Sequence, residues 1–260
     1  MSQANSARVV QFGDTGTADH LWQIVDNGDG WVRIRNVNSG KVLGVDQMST
    51  ADSAQVVQYD DNGTADHLWQ VVDNGTGYAR IRNRNSGKVL AVAGMSTADS
   101  ANVTQYADNG SADHNWRLIP DGTVKLQATH TNKVLAIQDM SSANGAQLTQ
   151  WPATGTPDHV WRFADSGGGY FRIVSNLTGK VVDVSGGSTA DGARVVQWDW
   201  AGGANQQWRL AWVGPGVFEV VARHSGKLLE VSGQSTADGA PVTQWADLNL
   251  SNQRWRVATG

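Results

Sequence analysis

Four of the six histidines in this 260-residue chain directly follow an aspartate, in Asp19-His20, Asp66-His67, Asp113-His114 and Asp158-His159. A carboxylate beside an imidazole is the starting material of general-base catalysis and of metal binding. Neither chemistry suits this arrangement. A Ser-His-Asp or paired-carboxylate active site needs one asymmetric cluster, whereas these pairs recur at matched places along the chain. A metal ion needs several ligands at one point, and each place supplies a single histidine. No catalytic residue, metal site or cofactor is therefore expected. Two readings of the pairs stay open: the aspartate bonds turn amides while the histidine packs beside the next Trp, or both line a binding site.

The elements that hold these residues are copies of one unit. Trp22, Trp69, Trp116, Trp161, Trp208 and Trp255 recur at intervals of 47, 47, 45, 47 and 47. Six indoles at one position read as core, since Trp buries a large area. A Gly-containing turn follows each, then a strand with apolar residues two apart: Val32/Ile34, Ala79/Ile81, Val124/Leu126, Phe171/Ile173 and Phe218/Val220. Next come a turn such as Asn38-Ser39-Gly40-Lys41 and a short apolar strand such as Val42-Leu43. Turns of the Ala51-Asp52-Ser53 or Ala190-Asp191-Gly192 type lead into a third strand. Asp there reads as a turn former. That strand ends in Gln-aromatic: Gln58-Tyr59, Gln105-Tyr106, Gln150-Trp151, Gln197-Trp198 and Gln244-Trp245. The glutamine reads as a hairpin hydrogen-bonder, and the fourth strand carries the repeat Trp. No useful helical periodicity is present.

Charged residues make up only 17% of the chain and glycine is abundant, with 30 copies, a balance that suits short strands and excludes disorder. With net charge −4 and no basic cluster, neither nucleic acid nor an anionic membrane is an expected partner. There are no cysteines, so neither disulfides nor thiolate metal sites hold the fold. No apolar run approaches a membrane span, and Met-Ser-Gln-Ala-Asn-Ser at the N-terminus has no signal-peptide core.

Four short strands per copy allow a β-trefoil, with three copies, or a β-propeller, with one copy per blade. The run Gly179-Lys180…Asp191-Gly192-Ala193…Gln197-Trp198…Asn205-Gln206-Gln207-Trp208 closely resembles the ricin-B-type β-trefoil lectins, as does its counterpart from Gly226 to Arg256. A weaker signature covers the whole chain. The resemblance implies an all-β protein of two tandem β-trefoils, built from five and a half repeats of about 47 residues. The Pro-containing link Ile119-Pro120-Asp121-Gly122 suggests the boundary, with residues 1–122 holding two and a half copies and 123–260 three. Met1, Met48, Met95 and Met140 each stand 21 residues before their Trp, so a longer parent carrying the missing strands upstream is expected.

In such lectins a carboxylate binds sugar hydroxyls, an aromatic ring covers the C–H face, and an Asn-Gln pair completes the site. Carried over, these roles fall on Asp183, Trp198, Asn205 and Gln206 in the fourth copy, and on Glu230, Trp245, Asn252 and Gln253 in the fifth. The chain departs from the pattern where Val196 and Thr243 replace a frequent Gln. Gly44, Ala91 and Ala136 occupy the acid position in earlier copies. There the Asp-His pairs, with Tyr59, Tyr106 or Trp151, read as altered sugar sites: Tyr59/Asp66/His67, Tyr106/Asp113/His114 and Trp151/Asp158/His159. The implied function is a non-enzymatic, multivalent lectin for glycoproteins, glycolipids or polysaccharides, extracellular, without membrane insertion, and compatible with a homodimer. Alternatives are a protein-binding trefoil (inhibitor or scaffold) or the carbohydrate-binding part of a larger secreted glycosidase.

Overall fold

The computed structural model describes residues 2–259. It is all-β, and the helical segments among the described residues are single 3-10 turns of three residues, too short to leave a periodic signal. Contacts divide the chain into two units. One comprises residues up to Asn74 and Tyr78–Leu118; the other comprises Gly75–Gly77 and Ile119 onward.

In the second unit, six strands close a ring: Thr123–Ala128, Trp161–Gly167, Tyr170–Ser175, Trp208–Gly214, Val217–Ala222 and Trp255–Thr259. Each pairs with the next, and the ring shuts where Val124↔Thr259 through Ala128↔Trp255 run in register. The remaining strands of each copy form hairpins, Val134–Ile137 with Leu148–Trp151, Val181–Val184 with Ala193–Trp198, and Leu228–Val231 with Val242–Trp245. A six-stranded barrel capped by three hairpins is a β-trefoil. The alternation places Val124, Leu126, Phe171, Ile173, Phe218 and Val220 inside, all buried. The turn before each hairpin needs positive φ, met by Gly179 (φ 73°) and Gly226 (φ 70°). The third copy uses Asn132 (φ 60°), a type that tolerates this region.

Polar contacts hold each copy together and tie it to its neighbours. Each indole from Trp69 to Trp255 donates from Nε1 to a second-strand carbonyl (Leu43, Leu90, Leu135, Val182 or Leu229) at 2.9–3.0 Å. Each Gln before an aromatic straps its copy to a neighbour: Gln197 Nε2 donates to Ser141 O (2.6 Å) and Ala143 O (3.0 Å), while its Oε1 accepts from Thr178. Gln150 reaches Ser235 and Ala237, and Gln244 reaches Ser188 and Ala190, so the cap closes on itself. At its centre Gln147 Nε2 donates to carbonyls of all three copies, Leu148, Val195 and Val242, at 2.8–3.0 Å. The turn aspartates do more than shape turns. Asp191 accepts from Lys227 and from the Ala246 amide in the following copy.

The first unit repeats the straps, although two hairpins, Val42–Val45 with Val56–Tyr59 and Val89–Val92 with Val103–Tyr106, and the single short strand Ala7–Arg8 make up its cap among the described residues. Gln58 straps to Ser2 and Ala4, Gln105 to Ser49 and Ala51, and Gln11 to Ser96 and Ala98. Gln55 takes the central role, reaching Val9, Val56 and Val103. The barrel beneath is open. Trp22–Asp26, Val32–Asn36, Trp69–Asp73 and Ala79–Asn83 pair in succession and Trp116 bridges Ala79, but no described strand joins Trp116 to Trp22. The expectation of six buried indoles fails for this reason. Trp69, Trp161, Trp208 and Trp255 are fully buried, whereas Trp22 and Trp116 are half-buried walls of a cavity of about 490 Å³.

Within the first unit, Trp69→Ala should therefore cost about 3–5 kcal/mol, the range for a buried aromatic, and Trp22→Ala markedly less. Chemical denaturation measures both; equal losses would contradict the open ring.

Candidate functional site

Each copy presents one polar-aromatic cluster where its hairpin meets the 3-10 turn before the repeat Trp. In the fourth copy Asp183 pairs with Val196 and Val181 with Trp198, so the carboxylate and the ring share a face two residues apart. The ring is 43% exposed, while Asp183 is only 5% exposed. Asn205, on the turn Ala204–Gln206, donates from Nδ2 to Asp183 Oδ2 (3.1 Å) and to Val184 O (3.1 Å). Gln206 turns back on its own loop, accepting from the Ala201 amide (2.8 Å) and donating to Asp199 O (2.8 Å). Burial pushes the Asp183 carboxyl above its ordinary range, opposed by the amides of Gln206 and Asn205 and by His224. His224 carries no motif, so sequence reading passed over it; its Nε2 lies 2.9 Å from Ser188 O.

The fifth copy looks the same in sequence and differs in geometry. With its extra methylene the Glu230 carboxylate reaches more partners, Oε2 accepting from Asn252 (3.3 Å) and Gln253 (3.2 Å) and Oε1 from Thr243 (3.4 Å). Burial raises its carboxyl too, against the Gln253, Thr243 and Asn252 hydrogen bonds. Trp245 stands exposed beside an acid occupied by its own chain.

The Asp-His copies rebuild the cluster with the acid on the opposite element. The Tyr59 ring lies 6.1 Å from His67, and His67 Nε2 is 3.5 Å from Asp66 Oδ2. Asp66 and His67 are both buried, and Asp66 Oδ1 has no hydrogen-bond partner. A Cβ on Gly44 would stand 2.5 Å from the His67 ring, so imidazole fills the space a strand acid would need. The second copy repeats this with Tyr106 6.3 Å from His114 and Asp113 3.6 Å from it. In the third, His159 Nε2 lies 3.4 Å from Asp158 Oδ2, and burial depresses its basicity although Asp158 favours the charged form. Phe12, Asp19 and His20 make a further such cluster, with rings 6.1 Å apart; Phe12 was missed because Gln11-Phe12 lies in the half copy. Among the described residues no group of three ligating side chains could hold a metal.

The ring of each cluster rests on a neighbouring turn, and the residue there matches the ring. Trp198, Trp245 and Trp151 sit 3.3–3.4 Å from where a Cβ would stand on Gly145, Gly192 and Gly239. In the first unit the equivalent turns carry Ser6, Ser53 and Ser100, and the rings are the smaller Tyr59, Tyr106 and Phe12.

A family model described as ricin-type β-trefoil lectin domain-like matches residues 1–59, 20–106, 65–151, 112–198, 157–245 and 204–260. The chain belongs to this family. No curated protein sequence matches it significantly. Among solved structures, the designed 3-fold symmetric protein ThreeFoil is 44% identical at TM-score 0.53, covering 54% of this chain and 100% of that one. The exo-β-1,3-galactanase 1,3Gal43A from Clostridium thermocellum is 23% identical at TM-score 0.53, covering 92% of this chain and 57% of that one. The Rhizoctonia solani agglutinin is 19% identical at TM-score 0.50, covering 55% and 98%. The last two share the fold with this chain.

A raised carboxyl means that the folded state favours protonated Asp183. Its contribution to stability is present below the ordinary aspartate range and lost as pH rises through the raised value. Asp183→Asn, which mimics the neutral acid, should raise the melting temperature at pH 7 and leave it unchanged near pH 3. Calorimetry at both values checks the sign.

Proposed function

We propose that this protein is a non-enzymatic lectin that reads glycans through shallow sites on its trefoil copies, with the fourth-copy site the principal one. The observation that carries this reading is Asp183. A carboxylate held in a hairpin core at a cost in stability, with one oxygen engaged by Asn205 and an exposed indole on the same face, suits vicinal hydroxyls above an apolar sugar face. Membership of a lectin family supports it. The Glu230 site is weaker on this reading, because its acceptors are already taken. The Asp-His clusters serve as altered sites, and recurrence of sites makes binding multivalent, so affinity for branched glycans arises from avidity. Acid–base catalysis on a glycosidic bond would require two carboxylates flanking it, about 5–10 Å apart, and where two acids do come together, as Asp61 and Asp66 do, they flank the buried His67 ring instead. Glycan reading suits an extracellular protein.

A glycan array with monosaccharide competition tests the reading. Asp183→Ala and Trp198→Ala should each weaken binding about tenfold or more while the melting curve stays cooperative. Binding untouched by Asp183→Ala combined with Glu230→Gln would remove the assignment. A blank array would favour a protein-binding trefoil.

A further inference from the structure

We infer that the fourth-copy site extends into an anion-binding subsite, formed by Arg172 over the Trp200 ring, which makes an acidic saccharide its ligand. The inference rests on the lectin reading above and names the substrate class. That class is a glycan in which a carboxylate or sulfate lies just beyond the sugar held by Asp183 and Trp198.

The first two copies show what normally occupies this place. A basic residue stands on the first strand, one past the buried Val32 or Ala79, and an aspartate stands two residues after the third-strand ring. Arg33 makes an ion pair with Asp61, and Arg80 Nε lies 3.2 Å from Asp108 Oδ1. The same aspartates reach the site cluster, Asp61 lying 3.8 Å from His67 Nδ1 and Asp108 3.4 Å from His114 Nδ1. Base, acid and cluster are therefore contiguous, and the chain neutralises its own positive charge.

The fourth copy keeps the base and replaces the acid. Arg172 is the counterpart of Arg33 and Arg80, but the residue two past Trp198 is Trp200. The guanidinium lies 5.2 Å from the centroid of that ring, and among the described residues it has no hydrogen bond or ion pair. A stacked ring holds the guanidinium plane without using its donors. No other copy combines the two: Lys125 has Ala153 at the acid position, and the fifth copy carries Glu219 and Asp247.

Trp200 is fixed to the site by Gln206, which donates to Asp199 O and accepts from the Ala201 amide, both at 2.8 Å, one residue to either side of it. Trp198 and Trp200 are both exposed, at 43% and 39%. The acid between them, Asp199, is engaged by Lys180 at 2.5 Å and by Asn144 at 2.8 Å. A planar fork of donors with no internal partner, two residues along the loop from the exposed Trp198 indole, suits the paired oxygens of a carboxylate or sulfate.

The test is an array on which neutral glycans stand beside their sialylated, uronate-bearing and sulfated forms, probed with the full-length protein at low salt. Acidic forms should bind about tenfold more tightly than their neutral counterparts, and the carboxylated and sulfated arms show which anion fits. Arg172→Gln should remove that preference and leave neutral binding unchanged. Trp200→Asp, which restores the aspartate of the first two copies, should do the same by giving Arg172 an internal partner; it decides the matter if Arg172→Gln fails to melt cooperatively. Equal binding of neutral and acidic forms, or a preference that survives both substitutions, would overturn the subsite and leave the lectin reading intact. Loss of neutral and acidic binding alike in a cooperatively melting Arg172→Gln protein would overturn it too. A blank array would remove both.

Discussion

A buried glutamine amide laid across a neighbour's main chain is the contact on which both units depend. A row of repeats has no intrinsic reason to close, because each hairpin alone is marginal in water. The strap supplies the reason. Gln150, Gln197 and Gln244 each give two donors to the copy before them around the ring and accept one hydroxyl from their own, so the circle is complete only with three members. Since each amide is buried, leaving it unpaired would cost the desolvation of a polar group, about 1–3 kcal/mol. Gln55 and Gln147 mark the axes, where one amide is shared among three carbonyls.

Binding geometry follows from closure. The aromatic next to each strap is carried over a neighbouring turn, so every cluster is built from two copies, one supplying the ring and the other its seat. Trp occurs where the seat is Gly145, Gly192 or Gly239, and smaller rings occur where it is Ser6, Ser53 or Ser100. The carboxylate varies independently. It is held by Asn205 at Asp183, takes three side-chain donors at Glu230, and moves to the 3-10 turn at Asp66, where Gly44 vacates the strand position for His67.

The fold was legible because the Trp spacing repeats five times and strand alternation leaves little freedom in which face is buried. The fourth-copy cluster was legible through the motif that contains Asp183, Trp198 and Asn205. What escaped was whatever the repeat does not repeat. Gln147 holds the axis from one copy, while Arg194 and Pro241 occupy its equivalents, so no periodic signal announces it. Gln11-Phe12 escaped because its copy lacks the strands that make the pattern recognisable. The different fates of Asp183 and Glu230 rest on one methylene and the reach of Gln253, distances that spacing does not encode. Burial of all six indoles was expected from their equivalence, and the open ring breaks that equivalence for Trp22 and Trp116.

The straps touch only carbonyl oxygens of their neighbours, and every residue type has one. The strand position that carries the acid is therefore uncoupled from the closing contacts, whereas the ring stays matched to its neighbour's turn. A substitution at the position shared by Gly44, Ala91, Ala136, Asp183 and Glu230 leaves the closing contacts untouched. Such a scaffold lets recognition drift copy by copy: duplication provides spare surfaces, and each can explore a new ligand while its siblings keep the old one.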